Sequence, residues 1–437
     1  MNVEGYHHKK LFSRFGVEAG FLPDFCVITS AFVILVVRMS APTVSTVTAL
    51  ALELTIVQFL VASMCWAIRQ YSIDSTRRGD LAFAALPRQP LLFTGIALCL
   101  VAGTLLTIFL SPERGFSLCL LLILAGNVSL FFLVALFVVE TIPLSRVLLL
   151  ALALFACAAA ISYFWNIRSK TSLSILIIGT MATGIFFMAL LSKKTGSSHS
   201  SGRFLKFLTR QPLFLVCGPL YLFGFWLDKW IFWFFVDNRT LDHTLLRPTA
   251  SDQSGVLALL FTIPALFVAF YSFRTEIARN YENFSTYILG TGTLNDIETS
   301  RSDVEKAVKV GCINTALTQL VFSGGLFFFA PALVEHLDRS VFNPLTLKSA
   351  AIGNIFFVVY AFLFRALLYF EDLRSAFWSG IGFCLGSIVF ASGMMFFDVT
   401  FGGIGLGMAA TVGIVTASIP LRRRLSELDY LFFTKYQ

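Results

Sequence analysis

Apolar residues run along this chain in long stretches broken by shorter polar segments that hold most of its charge. A helix needs about 20 apolar residues to cross a ~30 Å hydrocarbon core. Twelve stretches approach or exceed that length: 21–37, 47–68, 91–110, 116–139, 147–164, 172–191, 212–235, 255–273, 310–330, 350–369, 376–397 and 402–420. The pattern predicts an all-α polytopic membrane protein of about twelve transmembrane helices. Residues 192–211, SKKTGSSHSSGRFLKFLTRQ, form a basic Ser/Gly-rich linker with six spans on each side. An even number per half gives both halves the same topology, as in transporters built from parallel repeats. The expected organisation is an N-terminal six-helix lobe (1–191), a cytoplasmic linker (192–211) and a C-terminal six-helix lobe (212–437). In each half the second and third spans are joined by a long polar segment, 69–90 and 274–309.

Composition supports lipid as the main solvent. The 437 residues are 57% hydrophobic and 13% charged, with a mean hydropathy of +0.80; soluble domains carry about 25% charged residues. Most Lys and Arg lie in alternate connections, among them Lys9, Arg77, Lys193, Arg203, Arg274, Lys309, Arg374 and Arg422–Arg424. The positive-inside rule then places both termini in the cytoplasm. The net charge of +8 is spent on membrane orientation, so nucleic acid is not an expected partner. The N-terminal segment, followed by an apolar run without a clear cleavage site, reads as an uncleaved anchor.

The segment 274–309 is the largest expected water-facing element. Within it, GTLNDIETSRSDVEKAVK reads as a helix with Thr293 as N-cap and Asp296 in its first turn. Leu294, Ile297, Val304 and Val308 make a broken apolar stripe. This helix either lies on the membrane or extends span 9, or it offers a docking surface for a cytoplasmic partner, with Thr293, Leu294, Ile297 and Val304 as candidates.

Little else in the chain carries chemistry. The eight cysteines fall in apolar runs without CxxC spacing, and the five histidines make no metal-binding pattern. No nucleotide fingerprint follows a strand-like segment, and the outer loops are too short for a catalytic domain. No metal or cofactor is expected, and a conduit rather than an enzyme remains.

Ionisable residues inside spans are functional candidates, because each costs about 2.5–3.5 kcal/mol at a helix centre on insertion scales. Glu53 in span 2 is one. Arg365 sits near a helix end from which it can snorkel. Asp228 and Lys229 lie in YLFGFWLDKWIFWFF, span 7. Adjacent residues on a helix diverge by about 100°, so the expectation is that they do not neutralise one another. Trp226, Lys229, Trp230 and Trp233 share one face, and Asp228 lies on the neighbouring face with Phe225 and Phe232. One reading is an aromatic belt with a snorkelling lysine. The other is a water-lined path with aromatic platforms for sugar rings, formed by Asp228, Lys229, Trp226, Trp230 and Trp233, with Glu53 from the other lobe.

Several segments resemble the PelG family of exopolysaccharide exporters: GFWLDKWIFWF in span 7, FYSFRTEIARNYENFSTYILGTGTLNDIE at 270–298, LLYFEDLRSAFW at 367–378, and the tail LRRRLSELDYLFFTKYQ. The resemblance implies the fold of oligosaccharide and multidrug flippases, with two six-helix lobes. It implies transport of a Pel-like aminosugar polymer across the bacterial inner membrane for biofilm matrix. It further implies a cytoplasmic glycosyltransferase (PelF-like) and membrane partners (PelD-like, PelE-like). Alternatives of the same fold are a lipid-linked oligosaccharide flippase and a cation-coupled antiporter; a non-transporting scaffold for the synthase is a third reading.

Overall fold

The computed structural model describes residues 209, 212–235, 250–290, 292–337, 342–397 and 401–430. Spans 1–6, the linker apart from Thr209, and Glu53 lie outside the described residues. Two compact units share the chain: one comprises 1–21, 223–232 and 250–437, the other 22–222 and 233–249. Helix α1 (Leu213–Phe235) contributes to both.

The first unit is helical throughout its described residues: α2 (Ala250–Leu260), α3 (Ile263–Ser272), a π-turn (Phe273–Ile277), α4 (Ala278–Leu289), α5 (Leu294–Leu337), α6 (Pro344–Tyr369), α7 (Leu373–Met394) and α8 (Gly402–Ser426). Among the described residues, α1 and five segments of this unit are long and apolar enough to cross a membrane, six in all, matching the six spans expected after residue 211. Of the placements expected for the helix that begins near Leu294, extension of span 9 is the one observed, in α5. The largest difference is at 274–289, which continues helically from span 8 and makes 274–309 a helical hairpin. Segment Ser254–Ile288 and α5 have 35 and 44 residues, about 52 and 66 Å at ~1.5 Å per residue. Both outrun the bilayer. Hydropathy marks where lipid ends, whereas the backbone ladder continues in water as an amphipathic helix. Ile277 and Phe284 on one arm, and Val304 and Val308 on the other, are buried there.

The tip of the hairpin is capped as expected. The Thr293 N–H and hydroxyl donate to Asp296 Oδ2 at 2.9 and 2.8 Å, and the Asp296 N–H returns a bond to Thr293 Oγ1 at 3.3 Å. These donors hold the Asp296 carboxyl below its ordinary value. At its base, Arg301 donates to Asp429 at 2.7 Å and to the Ser426 carbonyl at 3.3 Å, tying α5 to the segment after α8.

Helices α6, α7 and α8 form the centre of this unit. Glycines let α6 and α8 approach backbone to backbone. A Cβ on Gly353 would strike the Gly403 carbonyl, one on Gly403 would strike the Ala350 backbone, and one on Gly407 would meet Gly353 Cα at 3.0 Å. Without a hydrophobic drive between helices in lipid, such close approach is a main source of association.

Candidate functional site

Three local features bring a polar cavity together. The first is a break in the helix that runs from Ala250. Pro264 has no N–H for the Leu260 carbonyl, and its ring crowds the preceding turn. The chain answers with Phe261 donating to the Ala258 carbonyl at 3.1 Å and Thr262 to the Leu259 carbonyl at 3.0 Å. The Thr262 hydroxyl adds a 2.7 Å bond to Leu259. From α6, Asn354 Nδ2 reaches the same Ala258 carbonyl at 3.0 Å. Interrupted membrane helices of this kind are where transporters place polar sites.

The second feature is the seating of α1. The Ser387 hydroxyl of α7 donates to the Gly224 carbonyl at 2.8 Å. Phe225 stacks on Phe357 with ring centres 4.7 Å apart, and a Cβ on Gly224 would strike the Phe383 ring. The third is Gly402 at the start of α8, where a Cβ would meet the Phe232 ring at 2.9 Å. Together they fix the rotation of α1 so that Phe225, Asp228, Lys229 and Phe232 face Gly255 and Leu259 of α2, Thr346, Ala350 and Asn354 of α6, and Gly402, Gly403 and Leu406 of α8.

The cavity between these residues has a volume of about 50 Å³. It accommodates a few waters or one small ion, since a water needs roughly 10–15 Å³ on this measure. Asp228 is 6% exposed. Lys229 Nζ sits 3.2 Å from both carboxylate oxygens. The ammonium also lies 4.5 Å from the centre of the Phe225 ring and 5.6 Å from that of Trp226, within cation–π range.

This geometry corrects the expectation that Asp228 and Lys229 do not neutralise each other. Their Cβ atoms diverge, but the lysine's four-carbon stem folds back across the helix surface. Its charge therefore joins the Asp228 face while staying within reach of the Trp226 ring. Trp226 is 2% exposed and does not line the cavity. Trp230 packs edge-on against Phe223 at 5.4 Å, also away from it. The side chain of Trp233 lies outside the described residues. Arg365 is 4% exposed rather than snorkelling, because the unit continues past the apolar part of α6 and covers its end. Of the docking candidates, Leu294 is 76% exposed and Val304 fully buried; Val304 holds the hairpin together. Thr293 is exposed and Ile297 half-buried.

The sequence reading missed Thr346, Asn354, Gly402 and Gly403. An amide inside an apolar helix and the run GGIGLG at 402–407 were the available signals. The first is a polar side chain that must find a partner in lipid; the second is a stripe able to admit another backbone.

A family model for exopolysaccharide exporters, PelG (EPS-E), matches residues 23–433. No curated protein sequence matches. Among solved structures, the chain is similar to a MATE transporter in complex with MaL6, at 13% identity and a TM-score of 0.61, covering 97% of each chain. It is also similar to a mutant of the Vibrio cholerae MATE transporter VcmN (12%, TM-score 0.64, 96% of this chain and 97% of that one). A MOP superfamily transporter from Pyrococcus furiosus matches at 13% identity and a TM-score of 0.60 over 96% of each chain. At these identities the likeness is one of fold: an all-helical, multi-span membrane architecture.

Proposed function

The chain belongs to the PelG family of exopolysaccharide exporters, and from that premise we propose that it moves a Pel-like aminosugar polymer from cytoplasm to periplasm across the bacterial inner membrane, for use as biofilm matrix. The polymer is supplied by a cytoplasmic glycosyltransferase of PelF type, with PelD-like and PelE-like membrane partners beside the transporter. Both termini face the cytoplasm in this reading, and the hairpin 274–309 projects toward the synthase.

The observation that carries the site assignment is the Asp228–Lys229 pair, buried in a water-sized cavity beside a broken membrane helix. Ionised groups are retained at such depth where they serve transport. In this reading the pair belongs to the polar path through this unit. Trp226, Trp230, Trp233 and Glu53 remain candidates for the polymer's path. Secretion of polymer is expected to fall to background in Asp228→Ala and Lys229→Ala at wild-type membrane levels of the protein. Wild-type secretion in both variants would remove the assignment. A lipid-linked oligosaccharide flippase or a small-molecule antiporter shares the fold; uptake of such cargo by the purified protein in liposomes would favour it over polymer export.

A further inference from the structure

Asp228 presents both carboxylate oxygens to one point, and the Lys229 ammonium occupies that point at 3.2 Å from each. A bare monovalent cation attracted to this carboxylate would sit in the same place. Thr346 and Asn354, which line the same cavity, bring oxygens, and the cavity holds a few waters besides. These are the hard-oxygen surroundings that alkali cations use. The lysine has two advantages over a dissolved cation. It is tethered one residue away, so its effective concentration is far above that of any ion in the cell. It also gains the faces of Phe225 and Trp226. Charge balance then closes the site. Asp228 is the one carboxylate among the cavity's described lining residues, and no group of three acidic, His or Cys side chains gathers among the described residues. A second cation beside the ammonium would leave a net positive charge in a low-dielectric cavity, which is strongly unfavourable. The nearest other charge along α6, Lys348, directs its ammonium to the Phe327 ring at 5.3 Å.

We propose that Lys229 is a built-in counter-cation that keeps a latent monovalent-cation site at Asp228 filled, so that the native protein takes no sodium there and loss of the ammonium opens the site. The proposal concerns binding in the absence of cargo, so it stands or falls separately from polymer secretion.

The experiment is a thermal-unfolding titration of the purified full-length protein with NaCl against choline chloride at equal ionic strength. The native protein is expected to show the same melting temperature in both salts. Lys229→Gln is expected to melt lower in choline and to regain stability saturably with sodium. The double variant Asp228→Asn/Lys229→Gln is expected to fold and to lose the sodium response, because both charges are gone. A saturable sodium response in the native protein that Asp228→Asn removes would overturn the proposal. So would a folded Lys229→Gln that ignores sodium, or one that sodium fails to rescue while the double variant folds.

Discussion

The cavity and the hairpin both place acids beside bases, and the contrast between them shows how little distance says about worth. In the hairpin, Lys309 Nζ lies 2.7 Å from Glu305 Oε1, with side chains 66% and 34% exposed. In the cavity, Lys229 and Asp228 are 3.2 Å apart but 13% and 8% exposed. The closer pair is the cheaper one. Water and salt screen it, and exposed pairs contribute about 0.2–1 kcal/mol. The longer pair has no such screening, and a buried pair that loses one partner typically costs about 3–5 kcal/mol. Environment, not proximity, separates a solvated helix face from a site.

The largest effect that sharpens this comparison is on Lys229. Lys229→Met strips the buried Asp228 of its counter-charge, and is expected to cost several kcal/mol, on the order of 3–5. Asp228→Asn/Lys229→Met, measured in the same denaturation series, should recover much of that loss. If the double variant were no more stable than Lys229→Met, the pair would not be the source of the cost. Next is Asn354→Leu, which removes the donor to the Ala258 carbonyl at the helix break. The carbonyl keeps its bond from the Phe261 N–H, so a loss of about 0.5–1.5 kcal/mol, the net worth of one hydrogen bond, is expected, together with faster hydrogen exchange at Phe261 and Thr262. Unchanged exchange there would mean that the turn holds itself without α6.

Effects in the hairpin should be smaller. Thr293→Ala removes the cap of α5 and should speed exchange in its first turn, leaving secretion unchanged. Lys309→Ala should shift stability by less than about 1 kcal/mol; a loss as large as that of Lys229→Met would break the comparison. The smallest effect is one of pH. Because the Thr293 donors depress the Asp296 carboxyl, the cap's contribution is present above the carboxyl's ordinary value and is lost as pH falls through the depressed one. Protection of the first turn of α5 should therefore fall only in strong acid, and in Thr293→Ala it should begin to fall at higher pH.

Much of this was legible in the residues. Span 7 was expected at 212–235 and is Leu213–Phe235, because an unbroken apolar run of that length must satisfy its backbone as a helix. Span 12 was expected to stop at 420 but runs to Ser426. Arg422–Arg424 announce the exit from lipid, not the end of the helix, and the continuation of span 8 through 274–289 was missed on the same ground. Asp228 and Lys229 stood out because charge is rare in apolar helices. Their mutual pairing did not, since a helical wheel records where Cβ points and not where a long stem bends. The cavity's other walls come from Asn354 and Gly402, more than a hundred residues away, and no local pattern links them to span 7.

The central claim is that the buried pair serves transport while the hairpin's exposed pairs do not. The most direct test is polymer secretion by Asp228→Asn beside Lys309→Ala, each at native membrane abundance. The account predicts secretion at background in the first and near wild type in the second. Wild-type secretion by Asp228→Asn, with the protein correctly inserted, would contradict it.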